Sequence, residues 1–253
     1  MTVALVRRTS SRLADGVLTH LERQPVDVEL ARRQWDAYVE VLRDRGWDIR
    51  EVPVEEACPD CVFVEDAVVM FKGVAVITRP GDDTRKPEIL AVEPIVRDLG
   101  CRIERIVAPG TMDGGDVLKI GDTIYVGRGG RTNQEGIDQF AAIVEPLGAR
   151  VIAVPVTKVL HLKSAVTALP DGTVIGWDPA VDDSSVFPSY LSMPEESGAH
   201  VVLLDDEHVL MAADAPRSAQ IFRDRGLIPI EVDISEYIKL EGCVTCLSVR
   251  VRS

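Results

Sequence analysis

No run of about 18 apolar residues occurs in this 253-residue chain, so no membrane-spanning helix is expected. No export leader is expected either. The opening "MTVALVRRTSSRLADG" sets a short apolar run ahead of two arginines, the wrong order for a signal peptide. Basic excess is also missing. Lys and Arg number 28 against 41 Asp and Glu, and the resulting net charge of −13 argues against a nucleic-acid partner. The same field suits a cationic small substrate. Cysteine is scarce and odd in number, at five, which excludes a disulfide scaffold and makes the cytoplasm the default compartment. No Ser/Pro/Gly-rich linker divides the chain, so residues 1–253 read as a single domain. Apolar residues, at 46%, are enough to build a core for it.

What is present is a repeat. Five times a stretch with helical character ends at a glycine and gives way to a short Val/Ile-rich run: at Gly46, Gly100, Gly148, Gly198 and Gly226. Residues 28–45 place Leu30, Trp35, Tyr38, Val39 and Leu42 on one helical face. Residues 134–147 do the same with Ile137, Phe140, Ile143 and Leu147. The stretch before Gly198 is interrupted by Pro188 and Pro194. Hairpins alternate with these units, turning at Lys72-Gly73, Gly121-Asp122 and Asp171-Gly172. The first four glycines are spaced by roughly 50 residues, the mark of one architecture built from similar strand–strand–helix–strand modules.

The polar residues that could do chemistry gather at the ends of these hairpins, where equivalent positions of repeated modules can converge. "VFVED" puts Glu65 and Asp66 after an apolar run read as a strand, with the two carboxylates on opposite faces. "MDGGD" holds two acids around two glycines, which permit close backbone approach. His161 stands between Leu160 and Leu162, a setting that fits a core histidine as well as a catalyst. The cysteines form two Cys-x-x-Cys pairs, "CPDC" (Cys58, Cys61) and "CVTC" (Cys243, Cys246). Four thiolates could clamp zinc, although the long separation lies outside the compact ribbon pattern. A thioredoxin-like pair would open a helix, whereas "CLSVRVR" reads as a strand. A nucleophilic cysteine needs only a histidine and a carboxylate brought to it in space.

From about Leu18 to Val249 the sequence resembles the dimethylarginine dimethylaminohydrolases, within the wider group of guanidino-modifying enzymes. The resemblance is carried by "CPDCVFVED", "ITRPGDDTR", "MDGGDVL", "GRGGRTNQ", "LHLKS" and "TCLSV", all in the family's order. It implies an α/β fold, a five-module ββαβ propeller with pseudo-fivefold symmetry. It implies Cys246 as nucleophile, His161 as general acid/base and Asp113 as the residue orienting that histidine. Glu65 and Asp66 are implied to face the substrate guanidinium and its surroundings. Asp60 and the backbone carbonyl of Leu18 would hold the α-amino group, and Arg85 and Arg131 the α-carboxylate. Some features depart from the family pattern: Glu241-Gly242 stands where relatives often carry Asp-Gly, position 243 is a cysteine, and position 247 is a leucine.

Carboxylates suit a guanidinium and arginines suit a carboxylate, through charge-assisted hydrogen bonds. Such a site needs no cofactor and no metal. The expected reaction is hydrolysis of Nω-methylated arginines to citrulline and dimethylamine or methylamine through a covalent thiouronium intermediate on Cys246. The expected partner is this small molecule, with no nucleic acid and no membrane, for a monomer or homodimer. Arginine or agmatine deiminase activity is the enzymatic alternative, and a zinc-binding module built on the two Cys-x-x-Cys pairs the non-enzymatic one. "SSRLADGVL" and "RGLIP" are candidate mobile covers.

Overall fold

The computed structural model describes residues 2–252. The first strand β1 (Thr2–Arg7) leads through helix α1 (Val28–Asp44) to β2 (Asp48–Val52), parallel to β1. The second module is β3 (Val68–Phe71), β4 (Val74–Ile77), α2 (Val92–Asp98) and β5 (Arg102–Arg105). The third is β6 (Val117–Ile120), β7 (Thr123–Arg128), α3 (Gln134–Val144) and β8 (Arg150–Pro155). The fourth has β9 (Val166–Ala168), β10 (Val174–Gly176) and β11 (Tyr190–Ser192). The fifth is β12 (Val201–Leu203), β13 (His208–Ala212), α4 (Pro216–Asp224) and β14 (Ile228–Val232), followed by α5 (Ser235–Ile238). The last strand, β15 (Val249–Arg252), returns to pair antiparallel with β1 and completes the first module.

Every module is thus a three-stranded sheet with its first two strands antiparallel and the third parallel to the second. The ring closes through the cores. Alternate residues of a strand face opposite sides, so Val68 and Met70 of β3 pack with Val3 and Leu5 of the first module, while Val69 and Phe71 pack with Val117 and Ile124 of the third. Third joins fourth through Tyr125 and Val166, and fourth joins fifth through Ile175 and Val209. Leu210 of the fifth packs with Val6 of the first. Five interfaces in a circle make the ββαβ propeller expected from the resemblance.

The local signals hold at most positions. Asp27 caps α1 by accepting from the Leu30 N–H, and Trp35, Tyr38, Val39 and Leu42 are buried on its inner face. Gly46, Gly100, Gly148 and Gly226 all have positive φ after their helices, as a left-handed cap requires. Gly198 is a correction. It lies in a 3-10 turn, Ser197–Ala199, against Ser218, and enters the fifth module rather than closing the fourth. The fourth module carries 3-10 turns in place of an α-helix, Asp178–Ala180 and Ser184–Val186 among them, and no glycine caps β11. The anomalous spacing of 28 residues between Gly198 and Gly226 follows from this.

Candidate active site

Each module's first strand is entered through a tight turn. These are Val64–Ala67 before β3, Gly114–Asp116 before β6, Leu162–Ser164 before β9, Ser197–Ala199 before β12, and 243–247 before β15. Two sequence expectations are corrected here. Glu65 and Asp66 sit on a 3-10 turn rather than at the end of a strand, and Cys243–Leu247 is a turn that precedes its strand. The turns touch one another. A Cβ on Gly114 would lie 1.9 Å from the Glu65 carbonyl oxygen, and one on Gly115 would lie 2.5 Å from His161 Nδ1. Real Cβ atoms do not approach that closely, so the two glycines of "DGGD" are demanded by packing. The Glu65 N–H donates to the Cys246 carbonyl at 3.2 Å, tying the second module's turn to the sulfur-bearing one.

Five side chains from these turns and their neighbours form one ionic network. His161 Nε2 lies 3.0 Å from Asp113 Oδ2, and its Nδ1 lies 3.9 Å from Asp66 Oδ1. Asp66 Oδ1 also accepts from the Gly115 N–H at 2.8 Å, and its Oδ2 pairs with Arg85 at 2.8 Å. Arg85 is held from its other side by both oxygens of Glu88. All of these side chains are buried. Burial by itself would push the imidazole down, but Asp66, the Asp113 hydrogen bond and Asp116 outweigh it and raise His161 to about 9. Burial opposes the ionised Asp66 too, yet the charges of His161 and Arg85 hold it at about 2. Asp116, which steadies the histidine's turn by accepting from the Leu162 N–H at 2.9 Å, is pushed up to about 6 by burial.

Cys246, His161, Asp66, Asp60, Arg85 and Arg131 line one small cavity of about 10 Å³, room for hardly more than a single water. Arg131 Nη1 is buried without a hydrogen-bond partner among the described residues and lies 3.7 Å from Asp113 Oδ2. Asp60 Oδ2 accepts from the Val17 N–H at 2.9 Å, and burial raises its carboxyl above the ordinary range. Leu18 is half-buried and packs on the core between the fifth and first modules.

Glu65 is placed elsewhere. Its carboxylate accepts from Lys163 at 2.5 Å, Arg250 at 3.0 Å and Thr245 Oγ1 at 2.8 Å. It lines a different cavity, of about 530 Å³, rather than the one containing Cys246. The adjacent acids therefore diverge as expected, but only Asp66 faces the histidine. Lys163, Thr245, Arg250 and Glu88 escaped the sequence reading, and Asp116 was read only as the second acid of "MDGGD". Lys163 stood inside "LHLKS" and Thr245 inside "TCLSV", whereas Arg250 and Glu88 had no local signal beyond charge.

Val17 lines the cavity, and the residues after it, fastened to two of its other lining residues, are its candidate cover. Glu241 accepts backbone N–H groups from three consecutive cover residues, Thr19 at 3.0 Å, His20, and Leu21 at 2.9 Å. Arg131 NH2 reaches Thr19 Oγ1 at 3.4 Å. Glu241 has a φ of 60°, in the left-handed region that a non-glycine residue adopts only at a cost. "SSRLADGVL" thus leads into the cover, whereas "RGLIP" lies at the turn from α4 to β14.

The cysteines do not assemble into a four-thiolate site. Among the described residues, the one cluster with metal-ligand spacing is Asp66, Asp113 and His161, which contains no sulfur. Cys243 Sγ does lie 3.5 Å from Cys246 Sγ. The hydrogen bond from the Cys246 thiol holds Cys243 down at about 5, and the same contact with burial pushes Cys246 up.

No family model matches the chain. A curated relative from Streptomyces coelicolor, an N(G),N(G)-dimethylarginine dimethylaminohydrolase, is 64% identical over 249 residues, covering 98% of this chain and 96% of its own. A solved Pseudomonas aeruginosa structure of the same enzyme, a cysteine-to-serine mutant complexed with citrulline, is similar at 36% identity. It superposes with a TM-score of 0.91 over 98% of each chain. A histidine-to-glycine dimethylarginine dimethylaminohydrolase, an adduct with S-methyl-L-thiocitrulline, matches with a TM-score of 0.91 at 35% identity. That match covers 99% of this chain and all of the other.

Proposed function

We infer the function from family and site together: the chain belongs to the dimethylarginine dimethylaminohydrolase family, and it is a cysteine-dependent hydrolase of dimethylarginine that yields citrulline. The finer assignment rests on one arrangement, a single cavity lined by Cys246, His161, Asp66 and Arg131, with Asp113 paired to the histidine and one buried guanidinium nitrogen of Arg131 without a hydrogen-bond partner among the described residues. Its charges are complementary to a molecule with a cationic planar carbon at one end and a carboxylate at the other.

The sulfur of Cys246 attacks the guanidinium carbon of an Nω-methylated arginine. A thiolate is required for this, and the cationic substrate and protonated His161 both favour it. Asp113 orients the imidazole and stabilises its charged form, as the carboxylate does in other triads. His161 gives its proton to the departing dimethylamine or methylamine, leaving a thiouronium on Cys246. The neutral ring then takes a proton from water, the hydroxide adds to the same carbon, and citrulline leaves as the C–S bond breaks. Proton transfer of this kind is worth about 10²–10⁴ in rate. Asp66 faces the guanidinium side, Asp60 and the Leu18 carbonyl the α-amino group, and Arg131 with Arg85 the α-carboxylate. Glu65 acts at one remove, by fixing Thr245 beside the nucleophile.

A product assay tests this reading. Citrulline release is expected from asymmetric dimethylarginine and monomethylarginine, and much less from arginine. Arg131→Ala should raise KM about 10–100-fold with a smaller change in kcat, since its partner is the non-reacting end. Preferential release of ammonia from arginine would assign the chain to the deiminases instead.

A further inference from the structure

We propose that Cys243 and Cys246 form a reversible oxidation site, in which a peroxide converts the two thiols into a disulfide that caps the nucleophile. The inference rests on the assignment of Cys246 as nucleophile for its consequence, and on the geometry of the two sulfurs, with the charge around Cys243 in support, for its chemistry.

The two sulfurs are already 3.5 Å apart. The Cys246 N–H donates to the Cys243 carbonyl at 3.1 Å, closing a four-residue turn. In such a turn the first and fourth Cα atoms lie within about 7 Å, which overlaps the span a disulfide bridges, about 4.4–6.8 Å. Closing the bond therefore asks for side-chain rotation and little backbone movement. Neither sulfur is tied to a distant donor that would hold it back. Cys243 Sγ contacts Thr245 Oγ1 at 3.3 Å, within the same turn, and the Lys163 carbonyl only at 3.9 Å.

The sulfurs also open on different sides. Cys246 faces the small substrate cavity. Cys243 lines a separate cavity of about 460 Å³, together with His20, Ser164 and His200. That cavity gives a small oxidant an approach to Cys243 other than the one through the substrate cavity. The Cys246 thiol and the nearby His200 favour the thiolate of Cys243, which makes it the sulfur that reacts first.

The steps balance. The Cys243 thiolate displaces hydroxide from hydrogen peroxide and becomes a sulfenic acid. Cys246 attacks that sulfur, the S–O bond breaks, and the thiol proton leaves with the hydroxyl group as water. Two sulfurs lose two electrons and one peroxide gains them. The product carries no thiol at position 246 and cannot attack a guanidinium, yet it is spared the irreversible sulfinic and sulfonic acids. A thiol reductant returns it to the active form.

Trypsin releases both cysteines in one peptide, residues 240–250, separate from the peptide holding Cys58 and Cys61. The full-length protein is treated with hydrogen peroxide, alkylated without reduction and digested. The 240–250 peptide should escape alkylation and lose about 2 Da, the two hydrogens of the thiols. Turnover should fall in proportion, and dithiothreitol should restore both. In Cys243→Ser, and equally in Cys243→Ala, whatever turnover remains should be lost to peroxide irreversibly, with oxygen added at Cys246. Oxygen addition at Cys246 in the wild type, with Cys243 still alkylated, overturns the proposal. So does a peptide that stays fully alkylated at peroxide doses that abolish turnover. A disulfide that forms while turnover persists keeps the oxidation site and instead removes Cys246 as nucleophile.

Discussion

The chain contains one local device twice. Cys58 and Cys61 span a turn in which the Cys61 N–H donates to the Cys58 carbonyl at 3.1 Å, and Cys243 and Cys246 span the same turn with the same distance. Both turns aim an intervening polar residue inward, Asp60 at the Val17 N–H and Thr245 at Glu65. The sulfurs nonetheless live differently. The Cys58 thiol is spent on the Thr84 carbonyl at 3.3 Å, and burial pushes Cys61 up to about 11. In the second turn the sulfurs face each other, and Cys243 is held at about 5. A Cys-x-x-Cys encodes a turn, and the surroundings decide whether it encodes chemistry.

Exchanging serine into each turn breaks the comparison most severely. Cys246→Ser should lower dimethylamine release by at least about 10⁴-fold with the fold retained. Cys61→Ser should leave turnover within about threefold and cost roughly 1–3 kcal/mol on denaturant unfolding, for a buried hydroxyl in a site shaped for sulfur. Comparable losses of turnover in both would mean that the first turn shares the chemistry.

A smaller effect concerns the charge that faces the second turn. His161 keeps its proton up to about pH 9, above its ordinary 6.5. The stability contributed by this proton is therefore complete below about 6.5 and is lost as pH rises through about 9. Asp66→Asn removes the leading charge that holds it there. The alkaline limb of kcat/KM should move down towards neutrality, as should the fall of Tm with pH. An unmoved limb would show that Asp113 and Asp116 set the imidazole without Asp66.

The smallest expected effect lies at the cover, four residues ahead of Thr245. Glu241→Gln keeps the shape and weakens the clamp on the N–H groups of Thr19, His20 and Leu21. Hydrogen exchange at those three amides should speed up, with a change of a few-fold in KM, while the Cys61 amide, which donates to the Cys58 carbonyl, keeps its rate. Unchanged exchange would mean that Asp60 and Arg131 hold the cover without it.

Much of this was legible beforehand. The capping glycines at 46, 100, 148 and 226 and the hairpin turns at 72–73, 121–122 and 171–172 announced themselves, because turn chemistry and helical periodicity are local. The fourth module was not readable from its prolines. Gly198 looked like a cap until the strands on either side were assigned to different sheets. At the site, the motifs delivered Cys246, His161, Asp66 and Arg131 to one cavity, with Asp113 bonded to the histidine. The direction of Glu65 was not legible, since its partners Lys163 and Arg250 lie about 100 and 185 positions away in sequence.

By itself, the sequence determined the modules, their turns and the residue types that each turn would present. These follow from backbone preferences that act over a few residues. Only the tertiary structure decided which carboxylate faces the histidine, which cysteine pair shares a proton, and that Glu241 fastens the cover. Those outcomes depend on charges and sulfurs brought within hydrogen-bond reach by ring closure, where burial makes each pairing count.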